Sequence, residues 1–75
     1  MTAAPAEKAH AAFGYRLAAQ RSARGWTLRQ TGHKAGMSWM TVRRAENGRP
    51  VYLATAIALA RVYGTTLDAL LGEPQ

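Results

Sequence analysis

Cysteine is absent from this chain of 75 residues, so neither a disulfide framework nor a thiolate metal site is available and the fold must hold by packing alone. That absence suits a reducing compartment, and the cytoplasm is the expected location. Long apolar runs are missing too: no stretch approaches the roughly 20 residues of a membrane span. Met1 to His10 carries no charged segment followed by an apolar core, so neither export nor membrane insertion is expected. Histidine is limited to His10 and His33, far apart, and the four acids, Glu7, Glu46, Asp68 and Glu73, are scattered. Metal-ligand clusters need several such groups at set spacing, so no metal and no cofactor is expected. Neither is an enzyme, because no Ser/His/Asp arrangement stands out and a single small domain leaves little room for a substrate cleft or a small-molecule ligand.

The shortage of acids is regional. All ten basic residues lie between Lys8 and Arg61, and Glu46 is the one acid inside that interval, within a chain of net charge +6. Such a density favours a polyanion, with nucleic acid first, since phosphate neutralisation and counterion release supply most non-specific affinity. A solubilising surface of arginines is the alternative that charge alone leaves open.

What is present is a repeated stop-and-start signal. Gly25-Trp-Thr27, Gly36-Met-Ser38 and Gly64-Thr-Thr66 each place a hydroxyl residue two positions after a glycine. A glycine closes one helix in the left-handed conformation, and the hydroxyl oxygen then caps the free N–H groups of the next. Thr27-Leu-Arg-Gln30 fits a capping box, and Asn47-Gly48-Arg49-Pro50 forms a fourth stop. These signals predict five helices, at 9–24, 28–35, 39–46, 52–63 and 67–71, behind a mobile N-terminal tail at 1–8. Ala, Leu and Arg dominate the intervals at helical spacing and β-branched runs are lacking, so the predicted class is all-α, a compact five-helix domain over 9–75. Phe13 and Leu17 mark the buried face of the first helix. Leu53, Ala56, Ile57 and Ala60 do so for the fourth, and Leu67, Leu70 and Leu71 for the last.

Thr27 to Asn47 has the outline of a helix-turn-helix, two short helices joined through Gly36. Gly32 is expected where they approach most closely, with Val42 and Ala45 turned inward. Trp39, Met40, Arg43 and Arg44 then share the opposite face, with 39/43 and 40/44 at i, i+4 spacing. The patch has the chemistry of a base reader: arginine pairs with guanine O6 and N7, and an apolar group meets a thymine methyl. Trp39, at the first turn of an exposed helix, is weighed against packing on a neighbouring helix. Trp26 is read as core. Thr27 and the free N–H groups at its helix start can hold a phosphate; Arg29, Ser38 and Arg49 join it as phosphate partners.

Residues 13–71 resemble the phage-repressor (Cro-like, or Xre) helix-turn-helix domain. The matching residues are Phe13-Gly-x-Arg-Leu17, Arg21, Arg24-Gly-Trp-Thr27, Gly36-Met-Ser38, Thr41-Val42, Glu46-Asn-Gly48, Ala60, Gly64 and Leu67-Asp-x-Leu-Leu71. The resemblance implies a five-helix domain that binds double-stranded DNA at an operator as a symmetric dimer, usually to repress transcription, and hence a nucleoid-associated protein. It puts Trp39, Met40, Arg43 and Arg44 at bases or their flanking phosphates, and Thr41 and Asn47 against backbone phosphate. It also implies an ion pair between Arg21 and Glu46, which would neutralise a carboxylate beside a DNA surface. Departures from the family pattern are Leu28 where a Gln is common, Thr31-Gly32 for a Leu-Ala pair, and Gln20 at an often apolar position. Lacking a separate oligomerisation domain, a homodimer is expected to be weak or DNA-induced. The competing reading is an antitoxin or protein-interaction module that presents Leu59, Val62, Tyr63 and Leu71.

Overall fold

The computed structural model describes residues 4–72. Among them the chain forms five helices and no strand: α1 (Pro5–Arg24), α2 (Leu28–Ala35), α3 (Trp39–Glu46), α4 (Leu53–Val62) and α5 (Leu67–Leu71). Glycine closes α1 and α2: Gly25 and Gly36 take φ of 68° and 72° and return their N–H groups to carbonyls of the preceding turn. Thr27, Ser38 and Thr66 then accept from the N–H three residues on, in Gln30, Thr41 and Ala69. Each stop therefore costs the chain few unsatisfied backbone groups.

The N-terminal boundary differs from the expected tail at 1–8, because Pro5 to Lys8 belong to α1. Proline at the first helical position loses no hydrogen bond, and Glu7 Oε1 reaches back to accept from the Ala4 N–H at 3.0 Å. The rest of that expectation, residues 1–3, lies outside the described residues, as do 73–75.

The core gathers Phe13 and Leu17 of α1, Val42 and Ala45 of α3, Ala56, Leu59 and Ala60 of α4, Tyr63, and Leu70 of α5. α3 packs on both α1 and α2, while α4 supports α2 and α5. Two glycines set the closest approaches. A Cβ on Gly32 would fall 2.6 Å from the Met37 carbonyl oxygen, and one on Gly14 would fall 2.5 Å from the Ala45 carbonyl oxygen. Main chain meets main chain at both points, so α3 is seated by contacts that no rotamer change can relax.

α4 buries Ala56 and Ala60 of its expected face but not the whole of it. Its buried stripe is 56, 59, 60 and 63, so Leu59 and Tyr63, expected on an association surface, are core, whereas Leu53 is 67% exposed. The segment Leu53–Val62 is apolar nearly all round, and such a helix is oriented by its neighbours rather than by its own periodicity. Leu71 is also exposed, while Leu70 carries the contact of α5 with the core.

Candidate nucleic-acid interface

The local chemistry of α3 separates its two sides. Val42 and Ala45 are completely buried, and a helix of eight residues that buries one narrow stripe must show the rest. Met40, Arg43, Arg44 and Asn47 are exposed and Trp39 is half-buried. These five residues line one shallow depression along the helix. Thr27 and Arg49, although exposed, do not line it.

Glu46 is the one acid on α3, and it is turned away from that depression. Arg21 Nε donates to Glu46 Oε2 at 2.7 Å and Arg21 Nη2 donates to Glu46 Oε1 at 3.0 Å. Arg21 Nη1 donates to the Trp26 carbonyl at 2.9 Å. One guanidinium thus ties α1, the end of α3 and the turn before α2 together. The hydrogen bond to Glu46 raises the Arg21 pKa against the opposing effect of burial, as a bidentate pair in a partly dry site should. With the carboxylate neutralised, the outward side of α3 carries only cationic, polar and apolar groups.

At the start of α2 the capping box is reciprocal. Thr27 Oγ1 accepts from the Gln30 N–H at 3.0 Å, and Gln30 Oε1 accepts from the Thr27 N–H at 2.8 Å. Two of the N–H groups expected to be open for phosphate are therefore already engaged. What stays available is the Leu28 and Arg29 N–H pair and the Thr27 hydroxyl proton. Ser38 is likewise occupied as the cap of α3, and its Oγ lies 3.4 Å from Thr41 Oγ1.

Arg29 has a contact that its expected role did not include: its guanidinium stands 5.1 Å from the centroid of the Trp39 ring. Trp26, read as core, is half-buried; it stacks on Tyr63 at 5.9 Å with Arg24 and Lys34 over its ring. Arg24 Nη2 also donates to the Tyr63 carbonyl at 2.9 Å, binding the end of α1 to that of α4.

On the other flank of α3, Thr41 and Arg44 share a groove of about 560 Å³ with Met37, Pro50, Val51, Tyr52 and Thr55. Tyr52, 85% exposed, and Thr55 are polar groups beside the outward side of α3 that sequence reasoning did not single out. The available signal was their position just after the Asn47–Pro50 stop, in a chain of few aromatics.

Two buried hydroxyls, Thr31 Oγ1 and Tyr63 Oη, have no hydrogen-bond partner among the described residues. Burial pushes the Tyr63 phenol up, and the nearby Thr31 hydroxyl only partly opposes this, being close without hydrogen-bond geometry. No group of three or more His, Cys, Asp or Glu capable of holding a metal occurs among the described residues. No helix among them is long and apolar enough to cross a membrane.

Comparison with known proteins agrees with this architecture. No curated protein and no solved structure matches the chain. A family model described as a helix-turn-helix domain matches residues 12–72, all five helices except the first turns of α1. That span contains both glycine contacts that seat α3 and the whole of the basic face, and its limits lie within a residue of the 13–71 over which the phage-repressor resemblance runs. The chain belongs to the helix-turn-helix domain family, whose fold is a DNA-binding one.

Proposed function

We propose that this protein is a sequence-specific regulator of transcription, a repressor, that lays α3 in the major groove of double-stranded DNA. One observation carries the reading: the single carboxylate of α3 is turned inward and held by Arg21, leaving Arg43, Arg44, Met40 and Trp39 on an outward face without a negative charge. A surface built for solubility alone has no need to lock away its only acid. In this reading Arg43 and Arg44 supply donors for guanine edges, and Met40 and Trp39 supply apolar contact for thymine methyl groups. Thr27, the Leu28 and Arg29 N–H groups, Ser38, Thr41, Asn47 and Arg49 grip phosphate and fix register. The protein acts in the cytoplasm on chromosomal or mobile-element DNA and needs no cofactor. Its operator is an inverted repeat that holds two copies one helical turn apart.

Selection of bound sequences from a random duplex pool at fixed physiological salt tests this. An enriched motif is expected, and an inverted repeat within it supports the dimer. Binding that falls steeply with salt while enriching no sequence overturns the regulator in favour of a non-specific binder.

Association of copies, the second reading, is favoured by a set of residues that shares only Leu71 with the one expected. Leu53 and Leu71 stay exposed beside Val51, Leu67, Phe13 and His10 in an apolar depression between α1, α4 and α5. Sedimentation at micromolar protein, with and without an operator duplex, should show a dimer that DNA strengthens. A tight dimer at nanomolar protein without DNA contradicts a weak, DNA-induced association.

A further inference from the structure

Arg29 and Trp39 belong to different helices, and each stands close to its helix start: Arg29 at the second position of α2, Trp39 at the first of α3. The spacing between those starts is set by main chain, because a Cβ on Gly32 would crowd Met37 O, Ser38 C and Trp39 N. Across this fixed gap the Arg29 guanidinium lies over the indole at 5.1 Å. No hydrogen bond or ion pair engages the Arg29 side chain among the described residues. A cation held over a π face keeps its N–H donors at its edge, where they remain free to bond elsewhere. Trp39 is half-buried and lines the depression with Met40, Arg43, Arg44 and Asn47, whereas Arg29 lines the neighbouring one with Trp26, Gln30, His33 and Lys34, so the pair stands where the two meet.

We propose that Arg29 and Trp39 act as one reading unit, in which the indole holds the guanidinium edge-on to a guanine at the base step facing the start of α3. This rests on the regulator reading and makes Arg29, a residue of the first helix of the motif, a determinant of sequence rather than a phosphate contact only. The physical basis is preorganisation. A free arginine side chain must be ordered when it binds, whereas one already held on a rigidly placed ring presents its donor fork with less of that cost. The ring and the guanidinium therefore depend on one another, and removing either should undo the same base preference.

The experiment compares wild type, Arg29→Ala, Trp39→Ala and the double variant on the duplex that wild type enriches and on its single-position substitutions. Each fold is first checked by circular dichroism. Arg29→Ala and Trp39→Ala are expected to relax the same position, losing a guanine preference of about tenfold or more, and the double variant should be no worse than the weaker single. Arg29→Lys should keep the salt slope while losing that preference, because a lysine retains charge but not the fork. Two results would overturn the unit: Arg29→Ala weakening every duplex alike with a salt slope lowered by about one, or losses of the two singles that multiply in the double. A wild type that enriches no sequence fells the regulator reading together with this one, and it is recognised before any variant is made. In the protein without DNA, Arg29 side-chain protons should be shifted upfield by the ring and lose that shift in Trp39→Ala; unshifted protons overturn the pairing independently of DNA.

Discussion

The two sides of α3 follow opposite rules. Inward, Val42 and Ala45 are small and fully buried, and the carbonyl of Ala45 lies where Gly14 has no side chain. Outward, Met40, Arg43 and Arg44 are large, exposed and, among the described residues, free of acidic partners. The difference teaches that position and display are set separately: main-chain contacts seat the helix, and nothing about that seating dictates which side chains it displays. Substitutions on the inner side should unfold the protein, and those on the outer side should change what it binds while leaving its stability alone.

The strongest way to break this contrast is to fill the contact at Gly14. Gly14→Val places branched carbon against the backbone of Ala45 and Glu46, and a loss of about 3 kcal/mol or more is expected in urea denaturation. A loss under about 0.5 kcal/mol would mean that side chains, not main chain, hold α3. Next comes Arg21→Ala, which strands the Glu46 carboxylate, whose side chain is only 9% exposed. About 1–3 kcal/mol should be lost, with weaker DNA binding because an unneutralised charge then lies beside the groove. If Arg21→Ala matches wild type in both measurements, the inward turn of Glu46 has no bearing on function.

A smaller effect should appear with pH. Burial favours the neutral phenol of Tyr63, so the folded state keeps that proton above the ordinary value of 10.0. The unfolded chain releases it there, so above about pH 10 the folded state binds more protons than the unfolded one and stability falls as pH rises. Tyr63→Phe should flatten this alkaline decline and lose little at neutral pH, since the hydroxyl has no hydrogen-bond partner to forfeit among the described residues. An equally steep decline in Tyr63→Phe would assign it to other groups.

How much of this was legible in the sequence depended on range. The helix ends at Gly25, Gly36 and Gly64 could be read because a stop and a cap are chemistry between residues two or three apart. The inward turn of Val42 and Ala45 and the closeness at Gly32 followed from helical spacing across one short turn. The start of α1 was carried by Pro5 and Glu7, a signal hidden by the surrounding alanines. Leu53, Leu59 and Tyr63 were assigned the wrong surroundings because an all-apolar helix has no periodicity to orient it. Gly14 against Ala45 and Arg29 over Trp39 are tertiary contacts that no local spacing encodes. Arg21 and Glu46 stand 25 residues apart, and family resemblance rather than spacing suggested their pairing.

The most direct measurement of the central claim, that the outer side of α3 reads bases, is selection from a random duplex pool with wild type beside Arg43→Ala. The variant should melt within about 0.5 kcal/mol of wild type and enrich the same motif relaxed at one position, at a cost there of about 1–3 kcal/mol. An unchanged motif, with affinity reduced alike for every sequence, would contradict base reading by Arg43 and leave α3 holding only phosphate.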